Sequence, residues 1–267
     1  MICTSFPTAW VINLARSADR RIYINDHLRS LNLPFEIVEA VDGLTLTADE
    51  LAGVYDPALA ATFGGRELTV GEIGCALSHL RLYQRMVDEH IEEAFILEDD
   101  AVIHPGILEL LARRGEWPND WEILLMHHLP WIGGQLNWWH TRFVGAHRFG
   151  RFSRPTYGTA GYLIRQSAAQ SLIRQAYPVR IPADHWTGGA VSAGIQIYGV
   201  EPPCIEQLPM SSPEDTTIPG REAYRKKWGM REFPTDGFYL YLHRLASWLV
   251  NVYCKYHPAR VVGCDSK

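Results

Sequence analysis

The stretch EEAFILEDDAVIHP, residues 92–105, decides the fold. Its short apolar run, residues 94–97, is typical of a buried strand, and three carboxylates, Glu98, Asp99 and Asp100, follow at once. Because side chains alternate along an extended chain, we expect Glu98 and Asp100 to share one face and Asp99 to take the other. Two like charges in one site are unfavourable unless a cation lies between them or one carboxyl is protonated.

The chain around this strand alternates between strand and helix patterns. Residues 69–90 place Ile73, Leu77 and Leu80 at helical spacing and lead directly into the strand at residue 94. Further strand patterns occupy residues 8–14, 34–43, 120–128 and 157–164, and further helix patterns occupy residues 15–33, 105–115 and 165–176. This order predicts an α/β fold with a Rossmann-type, mainly parallel sheet flanked by helices.

Composition excludes several classes of protein. The 267 residues carry a net charge of −5, which argues against nucleic acid as the main partner. Five cysteines are scattered without a CxxC pair, which indicates free thiols in a reducing compartment. The first residues lack the features of an export signal, and no stretch of about 18 apolar residues occurs. We therefore expect a cytoplasmic protein.

The acidic triplet is suited to a hard divalent cation. In open α/β sheets, ligands bind beyond the carboxyl ends of the strands, where residues 98–100 lie. Carboxylate oxygens suit Mg²⁺ or Mn²⁺, which keep open positions for diphosphate oxygens. The spacing of Glu98 and Asp100 is that of the acidic DxD element of nucleotide-sugar transferases, with Glu in first place. The alternative is a solvated acidic turn.

Six motifs occur in a fixed order along the chain. They are VINLARSADRR, EAVDG, GEIGCALSHL, FILEDDA, GTAGYLI and IPAD. Together, over roughly residues 9–210, they resemble glycosyltransferase family 25, which includes bacterial lipooligosaccharide galactosyltransferases and collagen galactosyltransferase domains. The resemblance implies a GT-A-like fold, a UDP-sugar donor, Mn²⁺ or Mg²⁺, and inversion at the anomeric carbon.

The resemblance also assigns residues to the donor sugar nucleotide. It marks Asn13, Arg16, Arg20 and Asp42 as nucleotide-binding residues. Arginines can bind diphosphate or uracil oxygens, and Asp42 can accept hydrogen bonds from base or ribose. The alternative for each arginine is an exposed charge on a helix.

Further donor-side groups and the metal ligands come from the middle motifs. Ser78, His79, Asp99 and Thr159 are predicted on the donor side, although His79 could instead be a buried histidine that fastens its helix to the sheet. Asp100 is predicted to bind the metal directly, while Glu98, the other predicted metal residue, binds it through water or holds the ribose. A further ligand has no assignment among Gln207, Asp215 and His243.

The acceptor side rests on Asp184 and on the stretch after residue 129. Inverting transfer needs a carboxylate that removes the proton of the acceptor hydroxyl, and Asp184 in RIPADHW is the candidate; the alternative is a helix N-cap. Residues 129–155 are rich in Gly, Trp and His and predict an irregular ligand loop. The candidate acceptor-binding residues are His128, Trp131, Trp138 and His185.

These assignments define two regions and one preferred function. Residues 1–220 form the predicted glycosyltransferase domain, and residues 221–267 form a C-terminal helical extension. Its basic and aromatic residues indicate either a helix packed on the domain or peripheral attachment to the cytoplasmic face of the inner membrane. The predicted reaction transfers a hexose, with galactose favoured, to a saccharide or glycolipid acceptor of lipopolysaccharide type. A metal-dependent hydrolase and a non-catalytic nucleotide-sugar-binding protein are the alternatives.

Overall fold

The computed structural model describes residues 7–129, 134–189 and 194–208. The helices are α1 (Ala18–Ser30), α2 (Ala48–Val54), α3 (Pro57–Gly64), α4 (Val70–Asp88), α5 (Gly106–Ala112), α6 (Gln166–Ala176) and α7 (Ala183–Thr187). The strands are β1 (Ala9–Asn13), β2 (Phe35–Glu39), β3 (Glu93–Glu98), β4 (Ala101–Ile103), β5 (Ile123–Leu125), β6 (Leu136–Val144), β7 (His147–Phe152), β8 (Gly161–Arg165), β9 (Ile197–Glu201) and β10 (Ile205–Gln207). Single 3₁₀ turns lie at Gly43–Thr45 and Arg114–Glu116.

Eight of these strands form one sheet in the order β2-β1-β3-β8-β5-β9-β7-β6. Strands β1, β2 and β3 are parallel, β8 lies antiparallel between β3 and β5, and β9 is parallel to β5. Strands β7 and β6 continue the sheet as an antiparallel pair. All strands of this sheet except β8 and β7 therefore run in one direction, which confirms the predicted α/β class with a mainly parallel sheet flanked by helices.

Strand β3 shows why both faces of the sheet are covered. Ala94 and Ile96 belong to the apolar cluster that includes residues of α4 and α6, whereas Phe95 and Leu97 belong to the cluster that includes residues of α1 and α5. The alternation of a strand thus sends successive side chains into two separate cores. Complete burial of each large apolar side chain stabilises the fold by about 1.5–3 kcal/mol.

The stretch predicted as an irregular loop contains a β-hairpin, so that prediction is wrong for residues 136–152. Strands β6 and β7 pair up to Val144 and His147, which leaves two residues at the turn. The first of them, Gly145, has φ of +58°, a conformation that glycine adopts without steric cost. The many aromatic and Gly residues here therefore belong to a sheet edge and its turn. Residues 130–133 lie outside the described residues.

The start of α4 is fixed against the loop that follows β2. Thr69 and Glu72 form a capping box, and a Cβ at Gly74 would lie 2.6 Å from the carbonyl oxygen of Val41. The Ser78 hydroxyl accepts a hydrogen bond from the Val41 amide (2.8 Å) and donates one to the Gly74 carbonyl (2.7 Å). Only glycine permits this approach, which places α4 beside the carboxyl ends of the parallel strands.

Two other predictions meet the structure only in part. Among the described residues, no helix combines the length and hydropathy that a membrane crossing requires. Cys204 is a buried free thiol. The division at residue 220, the helical extension 221–267 and its membrane contact lie outside the described residues and stay predictions.

Candidate functional site

The three carboxylates lie where β3 ends and a tight turn leads into β4. Glu98 is the last residue of β3, and Asp99 and Asp100 form the turn. Arg20 Nη1 lies 3.0 Å from Asp99 Oδ1 and 3.5 Å from Asp100 Oδ2. The expectation that Asp99 and Asp100 point to opposite faces is therefore wrong, because the alternation of the strand stops at Glu98.

The charges of this cluster are not balanced. Burial, and after it the negative charges of Glu98 and Asp99, raise the pKa of Asp100 to about 7, although Arg20 opposes this. Burial also raises the pKa of Asp99, against the stabilising contacts from Asn13 and Arg20. For Glu98, burial acts to raise the pKa, but the polar neighbours of this carboxyl, His79 above all, outweigh it and lower the pKa. An additional cation here would relieve repulsion between carboxylates.

Strand β1 brings Asn13 and Arg20 to the same edge of the sheet. Because β1 is parallel to β3, with Ile12 opposite Glu98, its carboxyl end lies beside the acidic turn. The Asn13 amide is buried and donates to Asp99 Oδ2 (2.7 Å) and to the Ser17 carbonyl (3.2 Å). Asn13 thus fixes both Asp99 and the turn that leads into α1.

The predicted nucleotide residues Arg16 and Asp42 lie together beyond β1 and β2. Arg16 Nε donates to Asp42 Oδ2 over 2.7 Å, and Asp42 also accepts from the Leu44 amide (3.1 Å). The hydrogen bond from Arg16 lowers the pKa of Asp42. The Arg16 side chain is 52% exposed, so a ligand can reach it. Their role in nucleotide binding stays a prediction.

Helix α4 carries the two polar residues of the GEIGCALSHL motif in different surroundings. The bonds of Ser78 to Val41 and Gly74 give it a structural role. His79 is fully buried; its Nδ1 hydrogen-bonds the Tyr162 hydroxyl (2.7 Å), and its Nε2 lies 3.5 Å from Glu98 Oε1. His79 therefore fastens α4 to the sheet, as the alternative interpretation held, and also reaches the acidic cluster.

The loop before β8 connects Thr159 to the helix that carries Asp184. Thr159 is buried beside Glu98 and acts to lower the pKa of that carboxyl, while Thr187 Oγ1 in α7 donates to the carbonyl of Gly158 (3.2 Å). Asp184 lies in the first turn of α7, and Pro182 occupies the N-cap position. The N-cap alternative for Asp184 is therefore wrong, and its catalytic role stays a prediction.

The predicted acceptor residues meet the structure unevenly. His128 is 2% exposed, its Nε2 hydrogen-bonds the Val200 carbonyl (3.1 Å), and its ring packs edge-on against Phe152. These are the surroundings of a packed side chain and give no support to acceptor contact. His185 is half-buried and packs edge-on against Tyr157. Trp131 lies outside the described residues, as does the side chain of Trp138.

Three residues near the carboxylates had no contacts assigned from the sequence. Gln207 lies beside Asp100 and acts to lower the pKa of that carboxyl, because β10 pairs with β4 and the Leu208 amide donates to the Asp100 carbonyl (2.8 Å). Tyr162 orients His79, and the charge of Glu98 acts on His127, whose pKa is lowered chiefly by burial. Gln207 was one of three unassigned ligand candidates, and Tyr162 stands in the GTAGYLI motif; no local pattern indicates their contacts.

Comparisons with known proteins agree with the motifs. Residues 6–132 match the profile described as glycosyltransferase family 25 (LPS biosynthesis protein), which confirms the predicted resemblance. A "Glycosyltransferase 25 family member" from Anopheles gambiae is 31% identical over 192 residues, which cover 66% of this chain and 30% of that protein.

Two further relatives differ in what their names say of activity. "Procollagen galactosyltransferase 2" from Homo sapiens is 31% identical over 126 residues, 45% of this chain and 20% of that protein. A "Probable inactive glycosyltransferase 25 family member 3" from Rattus norvegicus is 33% identical over 119 residues, 42% of this chain and 20% of that protein. The chain thus spans less than a third of the length of each of these relatives.

Proposed function

We propose that the chain transfers a hexose from a UDP-sugar to a saccharide acceptor. The premise is the match of residues 6–132 to glycosyltransferase family 25. Galactose is the favoured hexose, because a relative in this family is named a galactosyltransferase. A lipopolysaccharide-type acceptor is favoured by the description of the family. The observation that carries the proposal is the unbalanced carboxylate cluster at the carboxyl ends of β1 and β3.

The residues present fit a hard divalent cation such as Mn²⁺ or Mg²⁺. Asp100 Oδ1 is buried and makes no hydrogen bond within the described part of the chain, and Gln207 beside Asp100 offers an amide oxygen. Carboxylate and amide oxygens are the ligands that these ions prefer. Asp100, with Glu98 or Gln207, would hold the ion. When bound, it would supply Lewis-acid stabilisation for the negative charge of a departing diphosphate.

The remaining groups at this edge suit an anionic donor. The amino end of α1, a helix of 13 residues, follows directly after β1 and favours negative charge there. Arg20 holds Asp99 and Asp100, while Arg16 and Asp42 remain accessible for the nucleoside. We therefore assign the nucleotide to the region between the acidic turn and the Arg16–Asp42 pair.

Proton removal from the acceptor is assigned to Asp184. Its helix, α7, is joined through Thr187 to the loop that carries Thr159, and Thr159 contacts Glu98. Substitution Asp184→Asn keeps the size of the side chain and removes the base. We expect UDP-sugar affinity to stay within about threefold and turnover to fall by about 10²–10⁴-fold. A loss of affinity with unchanged turnover would reassign Asp184 to donor binding.

The test of the proposed function is release of UDP from UDP-hexoses, with and without a saccharide acceptor, in Mn²⁺ and in Mg²⁺. We expect acceptor-dependent release that Asp100→Asn lowers by at least about 100-fold. Asp88→Asn, on the exposed carboxyl end of α4, is the matched control and should leave turnover unchanged.

The same assay separates the proposal from its alternatives. Release that never depends on an acceptor would indicate a hydrolase. UDP binding without turnover across a broad acceptor panel would indicate a non-catalytic protein, a possibility raised by the relative that is named probably inactive.

A further inference from the structure

Helix α4 places a thiol and an imidazole on the face that meets the end of β3. Cys75 and His79 are four residues apart, so their side chains lie on the same side of the helix. Glu98 faces them from the last position of β3. Cys75 Sγ, one ring nitrogen of His79 and one carboxylate oxygen of Glu98 all lie within 4.8 Å of one another. Three different metal-binding groups therefore meet at one point.

Two atoms of this group are buried without the hydrogen bonds that such atoms normally make. His79 Nε2 and Glu98 Oε1 lie 3.5 Å apart and have no hydrogen-bond partner among the described residues. His79 itself is 0% exposed. Buried polar atoms in native proteins are almost always satisfied, so an unsatisfied nitrogen aimed at an unsatisfied carboxylate oxygen indicates an atom that binds between them.

The surroundings of His79 match those of a metal-binding histidine. Its Nδ1 hydrogen-bonds the Tyr162 hydroxyl (2.7 Å), which in turn hydrogen-bonds the Tyr83 hydroxyl (2.7 Å). When Nδ1 donates to Tyr162, the lone pair of Nε2 points toward Glu98. Metal-ligating histidines are characteristically oriented in this way by a hydrogen bond to the other ring nitrogen.

We propose that Cys75, His79 and Glu98 form a second metal site, for a thiophilic divalent cation of the Zn²⁺ class. Thiolate, imidazole and carboxylate form a ligand set that Zn²⁺ accepts, whereas Mg²⁺ and Mn²⁺ favour oxygen ligands such as those around Asp100. Binding releases the thiol proton of Cys75 to solvent and forms bonds from sulfur, nitrogen and oxygen to the ion. Three protein ligands leave a fourth position for water.

The ligands of this second site differ in chemistry from those of the proposed catalytic cation. The proposal of a second site does not rest on the proposed function. Glu98 stands between the two: one of its oxygens faces His79, and its charge acts on Asp100. Cys75 and His79 belong only to the second site. A probe that reports sulfur coordination therefore does not respond to a cation held by the oxygen ligands around Asp100, and the Cys75 variant shows whether the sulfur is that of Cys75.

The experiment titrates Co²⁺ into the full chain after treatment with a chelator. Thiolate-bound Co²⁺ gives a charge-transfer absorption band in the near ultraviolet, and we expect this band to saturate at one equivalent and to disappear when Zn²⁺ is added. Cys75→Ser should abolish the band. Cys204→Ser, which changes a buried free thiol outside the cluster, is the matched control and should keep it.

Two further variants address the orientation of His79 and the independence of the site. Tyr162→Phe removes the hydrogen bond to Nδ1 and should weaken Co²⁺ binding by about 10–100-fold. Asp100→Asn should leave the band unchanged even where it abolishes UDP release, which separates this proposal from the proposed function.

X-ray absorption of the Zn²⁺-loaded wild-type chain provides a measurement that needs no variant. We expect one sulfur at about 2.3 Å and nitrogen or oxygen ligands at about 2.0–2.1 Å. Absence of sulfur from the coordination sphere, or a cobalt band that persists in folded Cys75→Ser, would overturn the proposal.

Discussion

Two groups of buried charged residues in the same sheet differ in their balance of charge. At the antiparallel side, Arg148 of β7 lies opposite Glu201 of β9, and the two form an ion pair with side chains 7% and 13% exposed. At the carboxyl end of β3, Arg20 contacts Asp99 and Asp100, and the third carboxylate, Glu98, directly precedes them. The first group is balanced, one acid to one base, whereas the second holds an excess of negative charge.

The two groups are therefore expected to contribute to the stability of the fold with opposite sign. In a balanced buried pair each charge neutralises the other, and removing either partner leaves an ion in a poorly solvated place. An unbalanced cluster raises the pKa of Asp100 to about 7, which means that the native state disfavours the ionised form. Such a cluster destabilises the metal-free protein and is consistent with a role in binding a cation.

The largest expected effect on stability comes from breaking the balanced pair. Glu201→Gln removes the carboxylate that faces the buried Arg148 guanidinium, and we expect the free energy of unfolding to fall by about 3 kcal/mol. Urea unfolding measures this. Glu206→Gln is the matched control, because Glu206 is 63% exposed and lies 3.6 Å from His104; it should change stability by less than about 0.5 kcal/mol. Equal effects of the two variants would refute the contrast.

Asp100→Asn should act in the opposite direction. Because the folded pKa of Asp100, about 7, lies above the ordinary value, its carboxyl holds a proton more tightly in the folded than in the unfolded state. The stability of the wild type therefore falls as the pH rises from about 4, near the ordinary pKa of an aspartate, to about 7. In chelator at pH 8, we expect the variant to be more stable by about 2 kcal/mol, and the gain should shrink as the pH falls and approach zero near pH 4.

Thermal unfolding across this pH range measures the gain. Asp88→Asn, at the exposed end of α4, provides the control for the change of a carboxylate to an amide. A gain of the same size at pH 5 and pH 8 would show that titration of Asp100 is not its cause.

The sequence predicted the end of the sheet that contains β2, β1 and β3 well and the end that contains β7 and β6 poorly. Periodicity and apolar runs indicated β1, α1, β2, α4 and β3, because their apolar residues recur at the spacing of a strand or a helix. Strands β4 and β10 have three residues each, too few for a pattern, and they exist through pairing between distant parts of the chain. The hairpin β6–β7 was missed because its Gly, Trp and His content was taken for a loop.

The candidate site divides in the same way. Residues that directly follow predicted strands, such as Asn13, Asp42 and Asp100, could be placed at one edge because parallel strands end together. Gln207 and Tyr162 could not, since their contacts with Asp100 and His79 depend on strand order. The alternation rule failed at Asp99 for a local reason: the chain turns there and is no longer extended.

A smaller effect is expected from a hydrogen bond within the acidic cluster. It tests whether hydrogen bonds to the carboxylates stabilise the folded protein although their excess charge destabilises it. Asn13→Ala removes the amide that donates to the buried Asp99 carboxylate over 2.7 Å. We expect a loss of about 1.5 kcal/mol, the usual contribution of a hydrogen bond to a charged group, and thus the opposite sign to Asp100→Asn. Urea unfolding at pH 8 gives the value, with Asn119→Ala on an exposed turn as control. A stabilising Asn13→Ala would mean that Asp99 gains nothing from this contact.

The smallest effect on stability concerns Arg16. Its ion pair with Asp42 is balanced in charge, like the pair of Arg148 and Glu201, but it lies at the surface. The Arg16 side chain is 52% exposed, so solvent screens its attraction to Asp42, and Arg16→Ala should change the free energy of unfolding by less than about 0.5 kcal/mol. Arg113→Ala, at a similarly exposed pair with Glu109, should match it in thermal unfolding. If Arg16 binds the donor nucleotide as proposed, the two variants differ in their affinity for UDP. Arg16→Ala alone should bind UDP about tenfold more weakly, because it loses a charge-assisted hydrogen bond. Unchanged UDP affinity would make this pair a surface contact and move the nucleotide elsewhere along the edge.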